Sequence, residues 1–218
     1  MDILILKDVL ACRGGLRGMD EAGAKAPARR KRRGKEEQMN EAILFETERM
    51  TFRRFTEQDR AAAEVFLKDP EVMYAWEHGF SDAEVTDWFA RNAERYARYG
   101  CSWLCAEEKE TGETVGAIGL IFNGDIGGMA MWEIGYILNK RFWGKGYAAE
   151  GALGCADYAF RVIGTDKVAA QMRTDNAASR AVAQRLGMRY AGTYDRFYCG
   201  KNTPYDIYIL EKEGTEQP

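Results

Sequence analysis

Apolar and polar positions alternate along Met50-Thr-Phe-Arg-Arg-Phe55, the pattern of a strand with one buried face. Thr56-Glu-Gln-Asp59 then resembles a helix cap, and the Ala-rich stretch after it should be helical until Asp69-Pro70 stops it. Ser81-Asp-Ala-Glu84 fits a capping box and opens a helix that should run to Tyr99 and end at Gly100. Three strand-like runs follow, at 101–107, 114–122 and 131–138, with turns at 110–113 and 123–128, so an antiparallel meander is expected. A helix over 147–162, a strand over 167–173 and a short helix over 177–186 closed by Gly187 come next. Two last strands, 188–194 and 205–211, are expected to flank a loop holding Gly200-Lys-Asn-Thr-Pro204. This order predicts an α/β (α+β) fold, with one mixed sheet of about six to seven strands and helices on both faces.

With 218 residues, nearly half of them apolar, the chain suits one well-buried domain, expected over residues 39–218. No apolar run reaches the roughly 20 residues a membrane helix needs, so no membrane partner is expected. A formal net charge of −3 provides no global basic field for nucleic acid, which is not expected as a partner. The five cysteines (Cys12, Cys101, Cys105, Cys155 and Cys199) form no C-x-x-C pair and read as reduced thiols in a cytoplasmic protein. His78 is the only histidine. That excludes His-rich metal sites and leaves a Ser-His-Asp triad with a single candidate base, so no metal is expected.

Residues 1–38 differ from the rest. A short apolar stretch precedes the basic run Arg29-Arg-Lys-Arg-Arg33, the reverse of a secretory signal. Three readings stay open: a mis-assigned start with translation from Met39, a disordered extension, or a basic arm that binds RNA. The first draws on Gly34-Lys35-Glu36-Glu37-Gln38, which a purine-rich ribosome-binding sequence can encode. The arm lacks aromatic residues for base stacking, and Glu36-Glu37 ends it.

The chemistry concentrates in Met131-Trp-Glu-Ile-Gly-Tyr-Ile-Leu138 and the turn Asn139 to Tyr147 that leads into a helix. Gly144 and Gly146 let the backbone come close to a ligand, and the helix N-terminus offers unpaired N–H groups and a positive dipole end. Arg141 and Lys145 add positive charge, making an anion site suited to pyrophosphate. Gly144-x-Gly146-x-x-Ala149 formally fits a dinucleotide fingerprint, but Asn139–Trp143 separate the strand from the first glycine.

Arg141, Gly144 and Gly146 match the Arg/Gln-x-x-Gly-x-Gly/Ala pattern, and the stretch resembles the acyl-CoA-binding motif of the GNAT acetyltransferase superfamily. Glu-Ile-Gly-Tyr at 133–136 with Trp-Gly-Lys-Gly-Tyr-Ala at 143–148 is similar to the RimJ/RimL-type branch, which acetylates protein N-termini and small amines. Similarity extends over about residues 45–212, including Glu48–Arg53 and Asn176-x-x-Ser179 with Gln184–Met188. The resemblance implies acetyl-CoA as donor. Backbone groups around Ile134, Tyr136, Ile137 and Leu138 would take the pantetheine arm, and those of Arg141, Phe142, Trp143, Gly144, Lys145, Gly146 and Tyr147 the pyrophosphate. Asn176, with Ser179 nearby, would contact pantetheine, cap the following helix, or both.

The implied reaction is direct attack by an amine, from a small molecule or a protein N-terminus, with Glu133 as base. An amine of pKa ~10.4 needs such a base more than an α-amine of ~7.7–8.0 does. Tyr74, Trp76, Glu77 and His78 are candidate acceptor-binding residues, together with Tyr194, Arg196 and Tyr205 of the last hairpin. Many superfamily members have a tyrosine acid where this chain has Ala183, so no general acid is assigned. A catalytically silent CoA-sensing domain is the alternative, and homodimerisation stays open.

Overall fold

The computed structural model describes residues 42–198 and 200–212. The readings of residues 1–38, Cys12 included, and Cys199 lie outside these described residues. The strands are β1 (Ile43–Glu46), β2 (Met50–Arg54), β3 (Trp103–Glu108), β4 (Thr114–Ile126), β5 (Met129–Leu138), β6 (Lys167–Arg173), β7 (Arg189–Tyr198) and β8 (Lys201–Glu211). The helices are α1 (Arg60–Leu67), α2 (Asp82–Tyr99), α3 (Tyr147–Tyr158) and α4 (Ala177–Arg185).

The strands form one sheet in the order β1-β2-β3-β4-β5-β6-β8-β7. All neighbours are antiparallel except β5 and β6. Parallel neighbours need a crossover, and α3 supplies it. On one face α3 packs through Ala152, Cys155 and Ala156 against Phe52, Leu104, Ile118 and Ile134. Its small residues let it lie close to the sheet; a Cβ at Gly151 would stand 2.6 Å from Ile118 Cδ1. On the other face α1 and α2 bury Phe66, Leu67, Val85, Trp88 and Phe89 against Cys105, Ala117 and Ile137. Each such large side chain contributes about 1.5–3 kcal/mol when fully buried.

Local sequence explains the element ends. Ser81 Oγ accepts from the Glu84 N–H at 3.3 Å while Glu84 Oε2 accepts from the Ser81 N–H at 2.8 Å, the reciprocal capping box that starts α2. Gly100, at φ +77°, ends the helix. Gly127 and Gly128, at φ +58° and +88°, make the tight β4–β5 turn that only residues tolerant of positive φ allow.

The mixed sheet with helices on both faces is as expected, but it has eight strands rather than six to seven. The extra strand is β1, only four residues long and half-exposed, so it lacks an alternating signal. The expected turn at 123–128 narrows to Gly127-Gly128 because β4 and β5 run further. The expected loop across 195–204 is mostly strand, with Arg196 opposite Thr203. The helix expected over 147–162 is α-helical to Tyr158 and then widens into a π turn, Ala159–Ile163.

Candidate active site

The β5–β6 ladder has a single registered pair, Glu133 opposite Ala169. From that point Ile134–Leu138 and Ala170–Arg173 line the two sides of a cleft of about 1930 Å³. The cleft is continuous through the sheet. One half lies against α3 and α4, and the other against α2 and the β7–β8 hairpin.

On the α3 side, the segment after β5 makes a 3₁₀ turn, Lys140–Phe142, and then reaches Gly144 at φ +71° and Gly146 at φ +86°. A Cβ at Gly144 would meet nothing within 4 Å, and one at Gly146 only the Arg49 guanidinium at 3.6 Å. The glycines are therefore demanded by backbone conformation, and the space above them is open. Gly146 is the N-cap of α3 and has no side chain to occupy the first N–H groups. Trp143 Nε1 donates to the Leu138 carbonyl at 2.9 Å, fixing the indole at the rim. Phe142 faces inward, buried edge-to-face against Tyr147.

Arg49 ties this turn to the sheet. Its Nε pairs with Glu150 at 2.6 Å, its Nη1 donates to the Lys145 carbonyl at 3.0 Å, and its guanidinium sits 4.1 Å from the Tyr147 ring centroid. Burial works against the Glu150 charge, but hydrogen bonds from Thr47 and Arg49 outweigh it and hold that carboxyl below the usual range. Arg141 and Lys145 do not line the cleft; Arg141 pairs with Glu113 on the outer surface.

Asn176 is buried, and its Oδ1 accepts from the Ser179 N–H at 2.9 Å, so it caps α4 while also lining the cleft. Ser179 lines it too, and its carbonyl accepts from the Tyr136 hydroxyl at 3.3 Å. Burial pushes the Tyr136 phenol up to about 12. Ala183 packs in the small core beneath α4 with Met172, Met188 and Tyr208 and does not itself line the cleft.

Glu133 stands where β5 and β6 part. Its Oε2 accepts from Asn123 Nδ2 at 3.0 Å and from Gln171 Nε2 at 2.8 Å. On the α2 side, Tyr74, Trp76, His78, Tyr194, Arg196 and Tyr205 line the cleft. Glu77 does not: its carboxylate faces Lys201 at 2.6 Å and Arg173 at 3.6 Å. Sequence reasoning missed Asn123, Gln171 and Arg49. Gln171 left a trace, as the one polar residue inside Val168–Met172 of a buried strand. Asn123 and Arg49 left none.

The described cysteines do not line the cleft. Burial pushes Cys101 up to about 11 and Cys105 to about 12, and Cys155 is raised by complete burial. No group of three or more His, Cys, Asp or Glu side chains that could hold a metal occurs among the described residues. No described helix is long and apolar enough to cross a membrane.

A mixed sheet split beside a glycine turn at a helix N-terminus suits an extended anionic ligand, and comparison with known families names the class. The model of the acetyltransferase (GNAT) domain matches residues 49–189, and the chain belongs to that family. It is thus an acyl-CoA-dependent acetyltransferase. It is 34% identical to "Uncharacterized protein YkkB" of Bacillus subtilis (strain 168), across 78% of this chain and 96% of that one. It is 28% identical to "Uncharacterized N-acetyltransferase YoaA" of the same organism, across 78% and 97%. Among solved structures, a RimL ribosomal L7/L12 α-N-protein acetyltransferase in complex with coenzyme A superposes with a TM-score of 0.64 at 18% identity, covering 78% of this chain and 98% of that one. Spermidine N-acetyltransferase from Vibrio cholerae, in complex with CoA and spermine, gives 0.61 at 16% identity, covering 75% and 95%. At these identities the structural likeness speaks for the fold.

Proposed function

We propose that the protein transfers the acetyl group of acetyl-CoA to a primary amine, with Glu133 as the proton acceptor. The observation that carries this reading is the position of Glu133, in the single registered β5–β6 pair at the head of the cleft, with its side chain among the lining residues. Donor and acceptor would approach from opposite faces and meet beside its carboxylate. The open N-terminus of α3 and the glycine turn suit the donor's pyrophosphate. Backbone groups of Ile134–Leu138, which line the cleft, suit an extended pantetheine arm, and Asn176 and Ser179 face the same half.

In this mechanism Glu133 takes a proton from the ammonium form of the acceptor, directly or through a water. The freed nitrogen attacks the thioester carbonyl, a β5 backbone N–H stabilises the oxyanion, and as the C–S bond breaks the nitrogen, now positively charged, gives up its second proton to solvent or to the departing sulfur. The thiolate leaves without an assigned acid and takes up a proton afterwards; an ordinary thiol pKa near ~8.5 allows this. No acyl-enzyme forms.

The acceptor is either a protein N-terminal α-amine or a small-molecule amine. RimJ/RimL-like wording at 133–136 and 143–148 favours the α-amine. Tyr74 and Trp76 would bind it, whereas Glu77 is already engaged by Lys201 and Arg173, and His78, which also lines the cleft, by Trp76 and Glu84. The test is thiol release from acetyl-CoA with a panel of N-terminal peptides, spermidine and glycinamide. Amine-dependent release that Glu133→Gln reduces about 100-fold or more supports the reading. Tight acetyl-CoA binding without turnover on any amine refutes it in favour of a sensing domain.

A further inference from the structure

The environment of Glu133 has an order that its catalytic role alone does not demand. Both donors to Oε2 are side-chain amides, and an amide can turn either its NH₂ or its oxygen toward a neighbour. Here each amide oxygen is held by a donor of its own. Asn123 Oδ1 accepts from the Asp125 N–H at 3.1 Å, and Gln171 Oε1 accepts from the Tyr194 hydroxyl. Both NH₂ groups are thereby committed to Glu133. Two donors converge on one carboxylate oxygen, and among the described residues Oε1 has no hydrogen-bond partner. Glu133, Asn123, Gln171 and Tyr194 all line the cleft.

We infer that Gln171, oriented by Tyr194, and Asn123 are positioning residues that clamp one oxygen of Glu133 and present the other to the acceptor amine. The proposal rests on the reading of Glu133 as proton acceptor. Burial pushes the Tyr194 phenol up to about 12, which keeps it a protonated donor. The chain of contacts spans four strands: β4 supplies Asn123, β5 Glu133, β6 Gln171 and β7 Tyr194. A carboxylate on a free rotor would need to find its orientation in every turnover, whereas this one is set before substrate arrives.

The test uses protein labelled with carbon-13 at glutamate Cδ, with the Glu133 resonance assigned through Glu133→Gln. In Gln171→Glu a second carboxylate would lie beside Glu133, and its titration should move up by about one pH unit. In Tyr194→Phe the Gln171 amide is free to turn its oxygen inward, which should move the titration the same way. An unchanged Glu133 titration in both variants overturns the clamp. Thermal melting confirms that each variant is folded, and Gln171→Glu is close to isosteric should Tyr194→Phe fail to fold. With acetyl-CoA and a seryl N-terminal peptide as probe, Tyr194→Phe should lower kcat about tenfold and leave the KM for acetyl-CoA within about twofold. If Glu133→Gln retains wild-type kcat while the titrations shift, the clamp stands and the proton-acceptor reading fails.

Discussion

His78 shows how one side chain can join an element to the site. Its Nδ1 lies 3.0 Å from the Trp76 carbonyl and its Nε2 2.8 Å from Glu84 Oε1, so both ring nitrogens face acceptors, an arrangement that suits the imidazolium. The hydrogen bond to Glu84 raises its pKa above the ordinary value, against the opposing effect of burial. A folded-state pKa that is raised stabilises the fold below the unfolded value of about 6.5, and this is lost as pH rises through the folded value. His78→Gln should therefore lower Tm most near pH ~5.5, and the difference should shrink by pH ~8.5. A difference constant across that range would contradict the pairing. Gly146 makes a different demand. At φ +86° any Cβ is strained by about 1–2 kcal/mol, yet the nearest atom would be the Arg49 guanidinium at 3.6 Å. Gly146→Val should thus lose acetyl-CoA affinity by far more than it loses stability, as calorimetry and thermal melting would separate.

At the scale of elements, the turn between β5 and α3 is held from outside itself. Arg49, just before β2, reaches the Lys145 carbonyl and Glu150 and stacks on Tyr147, so the approach to α3 is fixed by a residue nearly a hundred positions away. Arg49→Ala should weaken acetyl-CoA binding about tenfold while kcat at saturating donor stays near wild type, since nothing at Glu133 is altered. A fall in kcat with unchanged KM would argue against this role. Such long-range ties explain what the sequence could reveal. The capping box at Ser81, the glycine stops and the strand–turn–helix at 131–147 are local signals, and they are legible from the residues that make them. Short β1 is invisible because its two central residues are only half-buried, and the β7–β8 extension is hidden behind Gly200 and Pro204, which read as loop. Gln171 and Asn123 gain meaning only when four strands bring them around Glu133, a condition no single segment displays.

For the whole molecule, the proposed reaction would hold donor and acceptor together in the one cleft, and the described thiols are too deeply buried to form an acyl intermediate. Initial-rate plots with both substrates varied should intersect; parallel lines would indicate a covalent acyl-enzyme. The single registered pair between β5 and β6 has a mechanical consequence as well. Five strands lie on one side of that seam and three on the other, joined there by little main-chain hydrogen bonding. A donor lying along Ile134–Leu138 would act as a rivet between two plates, replacing bonds the sheet itself does not make. At a hundredfold excess over Kd it would add about 2.7 kcal/mol, on the order of 5–10 °C in Tm for a protein of this size. Amide exchange should register the same event, with Ile134–Leu138 exchanging faster than the facing strand β4 until the donor binds. The enzyme would then be most rigid only while it holds the molecule it is about to consume.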